Sequence, residues 1–263
     1  MIKKYWNIYK VFWRTSLARE LEFRANFLAK IGINIIWIGF YVISVAILFN
    51  NTASIGTWTK GDVYILAAFF TFVEAIAYTI FVRNTQEIAE MIRNGNFDGI
   101  LLRPVNTQFL ASLRFVSFDE LGTLIGSLAM FIYGLSQSHA SINFRQILLA
   151  LAFVGIGLII FYCFAMTITI MVFWFIKLDN IRVLMTSTLQ LVRFPADVLP
   201  TVIRRILVVV LPISFISTIP TQALLGRNIE PWAGVGVIIS LSLFIGVKLF
   251  WDYALKAYSS ASS

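Results

Sequence analysis

Glu74 is the side chain with the clearest capacity for chemistry. It sits in FFTFVEAIAYTIF, near the middle of a long apolar run. An ionised acid there costs several kcal/mol unless it faces protein or water, so Glu74 is expected to point inward. Two roles fit it: a polar point on a translocation path, or an acid paired to a cation or kept protonated between helices. Asp119 and Glu120 lie only about one turn into another apolar run, where water-accessible residues at a helix end are expected. His139 is the sole histidine and falls in the turn 136–143. A zinc site needs several ligands and a triad needs a facing nucleophile, so His139 reads as a solvated loop residue. Cys163, the single cysteine, can form neither an internal disulfide nor a metal site. No G-x-x-x-x-G-K-S/T string occurs, so the usual ATP-cradling loop is missing. Gly155 and Gly157 in VGIGLII lie inside an apolar run and read as helix-packing residues rather than a dinucleotide fingerprint. This inventory implies no intrinsic catalytic site, no metal and no cofactor bound by the chain.

The elements that carry these residues follow from composition. With 59% of residues hydrophobic, 13% charged and a mean hydropathy of +0.84, the chain cannot build a soluble surface. Crossing a bilayer core of about 30 Å takes roughly 20 apolar residues, at about 1.5 Å of helix rise each. The runs 27–49, 63–82, 115–135, 147–176 and 232–251 qualify. Between 179 and 230 the chain is broken by Pro195, Pro200, Pro212 and Pro220, which oppose unbroken crossing helices. Residues 179–194 are read as most of a fifth span, followed by two short dipping helices with apolar parts 206–211 and 213–225. The competing reading makes 206–225 a full crossing and moves the C-terminus to the other side. Charge bias favours the first: six spans with a cytoplasmic N-terminus put 15 of the 21 Lys and Arg residues inside and 6 outside. Anionic headgroups suffice to explain the net charge of +8, without nucleic acid. Lys3, Lys4, Lys10, Arg14, Arg19 and Arg24 interrupt the N-terminal segment, so no cleavable signal peptide is expected. Tyr5, Ile8, Tyr9, Phe12, Trp13, Leu17 and Leu21 recur at helical spacing between these cations, the pattern of a helix lying in the inner interface or of a simple cationic anchor.

The most informative stretch is RNTQEIAEMIRNGNFDGILLRPVNTQF, residues 83–109. It predicts a helix over about 85–93, a turn at Asn94-Gly95-Asn96, and a short amphipathic segment 97–102 stopped by Pro104. Phe97, Ile100, Leu101 and Leu102 form an apolar face that must rest on lipid, on the chain's own spans or on a partner. Asp98 and Arg103 suit the positive and negative ends of its peptide dipoles. The pattern I-x-x-G-x-F-D-x-x-L-L-R-P-V resembles the loop of the permease subunits of bacterial type-2 ATP-binding-cassette (ABC) exporters. RFPADVLPTVIRRILVVVLPISFISTIPTQALLG, residues 193–226, is similar to a second region of one branch of that family.

The resemblance implies an all-α integral membrane protein with six transmembrane helices, an N-terminal interfacial amphipathic helix, a cytoplasmic coupling helix and proline-broken re-entrant helices before the last span. The corresponding divisions are an interfacial helix 1–26, a permease domain 27–258 with coupling loop 83–114 and re-entrant region 195–230, and a flexible tail 259–263. It further implies separate ABC ATPase subunits as partners, a second permease chain, identical or paralogous, and a bacterial plasma (inner) membrane location with both termini cytoplasmic. ATP and Mg are expected on the ATPase, not here. Phe97, Asp98, Leu101, Leu102, Arg103 and Pro104 are the residues expected to couple the two subunits, and Glu74 is the candidate for the path. Sparse polar residues in the spans favour a hydrophobic or amphiphilic cargo, with export inferred from the family. A non-transporting membrane scaffold or assembly protein is the main alternative. A secondary transporter would need inverted repeats and an ion site that the sequence does not display.

Overall fold

The computed structural model describes residues 2–138, 140–175, 193–205, 207–208 and 212–258. Helix α1 (Ile2–Glu22) is separated from α2 (Arg24–Leu48) only at Phe23. A small antiparallel pair follows, β1 (Ser54–Ile55) with β2 (Trp58–Thr59). Thr59 and Asp62 then form a capping box that starts α3 (Lys60–Ala77). A π-helical turn, Tyr78–Val82, joins α3 to α4 (Arg83–Arg93), and the three make one continuous helix, Lys60–Arg93. The next elements are short: α5 (Asp98–Leu101), α6 (Thr107–Leu113) and a 3-10 turn, Phe118–Glu120. Helix α7 (Leu121–Gln137) and α8 (Phe144–Met171) are long again, the latter opened by an Asn143/Gln146 capping box. After a 3-10 turn at Ala196–Val198 come α9 (Thr201–Arg205), a second 3-10 turn at Ile213–Phe215, α10 (Thr218–Leu224) and the long α11 (Glu230–Ala257).

Among the described residues, five helices are long and apolar enough to cross a membrane: Arg24–Leu48, Lys60–Arg93, Phe118–Gln137, Phe144–Met171 and Gly234–Ala257. The chain is thus a mostly helical, multi-pass membrane protein. α3 is the central helix, packed on α7, α8 and α10, whereas α2 leaves most of its apolar surface exposed, as lipid contact requires. Close approach depends on small residues. A Cβ on Gly157 would lie 2.7 Å from the carbonyl oxygen of Phe215, and one on Gly134 would lie 2.9 Å from the backbone nitrogen of Ile65. Gly157 is therefore a packing residue as expected, while Gly155 meets nothing within 4 Å.

Three boundaries differ from the sequence reading. The 63–82 span continues to Arg93 because the π turn carries the helix on into its polar part. The 115–135 run becomes helical only from Phe118, because its first backbone groups bond sideways. Asn84 donates to the Phe115 carbonyl and accepts from the Phe115 N–H, both at 2.7 Å, and the Ser117 N–H donates to the Thr79 carbonyl at 2.9 Å. Asp119 and Glu120 thus occupy the turn before α7 rather than its first full turn. In the proline-rich region, the described residues up to Leu225 do not make one unbroken helix, since Ser217 (φ −136, ψ −52) separates the 3-10 turn from α10. A seven-residue helix such as α10 reaches only about 10 Å, a third of the bilayer core. It survives buried because it rests on protein, with Ile213, Phe215, Ile216 and Ile219 in the main core beside α3 and α8. The expected span 179–194 lies outside the described residues except at its end, and His139 and the tail 259–263 lie outside them altogether.

Candidate functional site

The segment 94–106 folds back on itself at one end of the bundle. Gly95 takes φ +71, the left-handed geometry that ends α4 and is free of steric cost only for glycine. The single turn of α5 then divides the predicted apolar face in two. Phe97 is 0% exposed and points into the protein, its ring 5.5 Å from Phe173, 6.2 Å from Trp251 and 5.3 Å from Tyr258. Ile100 is buried in the same cluster. Leu101 is 38% and Leu102 86% exposed, so these two point away from the core. Arg103 donates from Nε to the Gly99 carbonyl at 3.3 Å, satisfying a carbonyl near the C-terminus of α5. Asp98 opens the turn, and Pro104 is exposed beyond it.

Helix α1 runs alongside this whole region. Lys4 donates to the Pro104 carbonyl at 3.1 Å, and the Asn106 N–H donates to the Tyr5 hydroxyl at 3.3 Å. Further along, Ser16 accepts from the Val116 N–H at 3.1 Å, Trp13 packs edge-on to Phe118 at 5.1 Å, and Glu20 pairs with Arg83 at 3.4 Å. α1 is accordingly a brace across the 83–118 segment.

Glu74 faces a cavity of about 220 Å³ lined also by Asn34, Tyr41, Thr71, Tyr78, Glu120, Thr123 and Arg193. Arg193 is the cation that lines this cavity with Glu74. Its guanidinium lies over the rings of Tyr41 (5.5 Å) and Phe70 (5.4 Å), while its carbonyl accepts from the Tyr41 hydroxyl at 3.0 Å. Among the described residues no ion pair within 4.0 Å reaches Glu74. A second, more polar cavity of about 350 Å³ shares Tyr78 and Glu120 with the first and adds Lys30, Arg83, Glu87, Glu90 and Asp119. Tyr78, in the π turn, and Glu120 line both cavities, so the polar side chains around them make a tract from the α4 end of the bundle to Glu74. Lys30 and Asp119 pair across it at 3.3 Å. Among the described residues, no cluster of His, Cys, Asp and Glu is arranged to hold a metal ion.

The profile of the ABC-2 family transporter proteins matches residues 35–262, most of the chain. The chain belongs to that family. Comparison with curated proteins and with solved structures yields no match. As an ABC-2 transporter protein, the chain is a membrane permease component of an ABC transporter, a type that is generally non-catalytic and works with ATPase subunits. Sequence reasoning did not place Arg193 in one cavity with Glu74. The available signal was an arginine at the edge of an apolar stretch, next to the prolines. It also missed the brace made by α1, because Lys4 and Pro104 are 100 positions apart and no local pattern joins them.

Proposed function

We propose that the chain is the permease subunit of an ABC exporter, moving a hydrophobic or amphiphilic compound with ATP hydrolysed by a separate subunit. Two copies, or this chain and a paralogue, would assemble with two ATPases on the cytoplasmic side of the plasma membrane, where the 15 to 6 charge bias puts both termini. The observation that carries the reading is the split of segment 97–104. Leu101 and Leu102 project outward with Arg103 and Pro104, while Phe97 is buried against the ends of α8 and α11. An ATPase surface that covers the two leucines would gain a few kcal/mol before the costs of association. Movement of that surface would reach the spans through the Phe97 rings and through α4, which leads without a break into the π turn and the Glu74 cavity. Phe97 is thus an internal lever, and Asp98 and Arg103 hold the shape of the turn. The polar tract ending at Glu74 and Arg193 is the proposed path for the polar part of the cargo. Nothing in the geometry adds weight to a scaffold role, which needs no such tract.

Co-purification with an ATPase carrying the phosphate loop, followed by ATP-dependent uptake into inverted vesicles, tests the assignment. A chain that binds no ATPase and supports no ATP-dependent flux would be a scaffold instead. ATPase stimulation across lipids, antibiotics and cationic drugs would then identify the cargo.

A further inference from the structure

The two cavities that share Tyr78 and Glu120 are acidic within a basic protein. Five carboxylates line them, Glu74, Glu87, Glu90, Asp119 and Glu120, against three cations, Lys30, Arg83 and Arg193, which gives a net lining charge of −2. The chain as a whole carries +8, so the sign reverses inside the tract. Each of the three cations is moreover engaged. Lys30 pairs with Asp119 at 3.3 Å, and Arg83 pairs at 3.4 Å with Glu20, which stands outside the lining. Arg193 lies over the rings of Tyr41 and Phe70. Glu74, Glu87, Glu90 and Glu120 are left with no ion pair within 4.0 Å among the described residues.

Of these four, Glu74 has the least support. Glu120 accepts from the Thr123 hydroxyl at 2.8 Å, and Glu87 and Glu90 belong to α4, where Glu90 is exposed. Glu74 has no hydrogen-bond or ion-pair partner among the described residues. Its side chain is almost wholly enclosed by protein, and it lines the inner cavity. A carboxylate placed so in a membrane-spanning helix calls for a positive charge.

The walls beside it indicate which kind of cation fits. Trp37, Tyr41 and Tyr78 line the same cavity, and aromatic faces, tryptophan above all, favour ammonium groups. Trp37 is 69% exposed on α2, the helix that turns most of its apolar surface outward, so the cavity reaches the lipid-facing surface at an aromatic rim. The carboxylates do not converge on one point: among the described residues no group of His, Cys, Asp and Glu could hold a metal ion. An unpartnered acid, aromatic walls and an apolar rim together fit an ammonium ion that carries an apolar tail.

We propose that the inner cavity binds an organic cation of the alkylammonium class, with its charge at Glu74 and its tail running past Trp37 toward the lipid. That this guest is the cargo rests on the permease reading above; the binding itself does not.

The test is equilibrium dialysis of the full chain in phosphatidylcholine nanodiscs with radiolabelled hexyltrimethylammonium, using empty nanodiscs as the blank and no ATPase. The label should bind saturably. Unlabelled hexyltrimethylammonium should displace it, whereas hexanol and hexyl sulfate, which share the tail, should not. Glu74→Gln should weaken the affinity about ten-fold or more, and Trp37→Leu about two- to five-fold. Arg193→Gln removes a like charge from the wall and should tighten binding, a change that poor folding cannot imitate. Displacement by hexyl sulfate would assign the cavity to an anion at Arg193, and displacement by hexanol would assign it to the tail alone. Either result, no saturable binding, full affinity in Glu74→Gln or weaker binding in a folded Arg193→Gln chain would overturn the proposal. The permease reading would survive that failure, because ATPase association and flux decide it separately.

Discussion

A carboxylate held among helices calls for a cation, and Arg193 supplies one from the segment just before the prolines. The two share a cavity wall without closing into an ion pair, so both stay able to meet a guest or water. Glu74→Gln keeps the shape and removes the charge, leaving Arg193 uncompensated. Transport should fall on the order of ten-fold, equivalent to about 1.4 kcal/mol, and Glu74→Leu should lower it further. The pair predicts more than a loss. In a double-mutant cycle with Arg193→Gln, the second substitution should cost less in thermal stability than it does alone, with a coupling of about 0.5–3 kcal/mol. Strictly additive effects would mean that the two charges act independently.

At the scale of single elements, α5 is too short to be stable alone and is held from both sides. Phe97 fixes it to the ring cluster of Phe173, Trp251 and Tyr258, and α1 fixes the chain just beyond it through Lys4 and Tyr5. Replacing Leu101 and Leu102 by Ser should therefore leave the fold intact and weaken ATPase association in a pull-down, by a few kcal/mol at most. Undiminished association and transport would reduce α5 to a surface anchor. Phe97→Ala should act differently, lowering stability by about 3–5 kcal/mol as a buried aromatic does, with the loss visible in thermal unfolding.

The opposite end of the bundle has a lock of its own. Arg227, just after α10, pairs with Asp62 at 2.8 Å, donates to the Thr57 carbonyl at 3.0 Å and lies 4.2 Å from the Trp58 ring centre. Asp62 meanwhile accepts from the Thr59 N–H at 3.1 Å and the Ser138 hydroxyl at 3.2 Å. One carboxylate thus ties the hairpin, α3, the end of α7 and the residue after α10 together. Asp62→Ala should cost about 3–5 kcal/mol, because it leaves a half-buried arginine unpaired and removes a helix cap. A shift in Tm below one or two degrees in detergent would show the lock to be idle. Gly157→Ala should cost about 1–3 kcal/mol, since the new methyl meets backbone at Phe215 rather than a side chain that can turn aside.

For the whole molecule, the central question is on which side each loop lies. The end bearing α1, α5 and the 83–118 segment carries most of the basic residues, and the end bearing Asp62 and Arg227 carries few. Six spans with both termini inside predict that, in a Cys163→Ala background, a cysteine at position 260 is shielded from an impermeant reagent in intact cells and one at position 228 is labelled. The reverse pattern would sink that topology. α2 gives most of its apolar surface to its surroundings, which fits contact with lipid or with a second permease chain.

Hydropathy and local backbone chemistry settled much of this in advance. The long apolar runs, the proline breaks, the Asn94-Gly95 turn and the close packing at Gly157 all depend on residues near one another in the chain, so their periodicity and conformational limits are legible in one dimension. The family resemblance was legible for the same reason, in the contiguous strings at 92–105 and 193–226. The partners of each charge were not. Arg193 shares a cavity with Glu74, Glu20 pairs with Arg83 and Arg227 pairs with Asp62 across 63 to 165 positions, and no periodicity encodes such distances. Nor could the sequence divide the apolar face of 97–102. Phe97 and Leu102 are alike in apolar character, and only the packing of α8 and α11 around one of them decided that the phenyl ring turns inward while the leucine stays out.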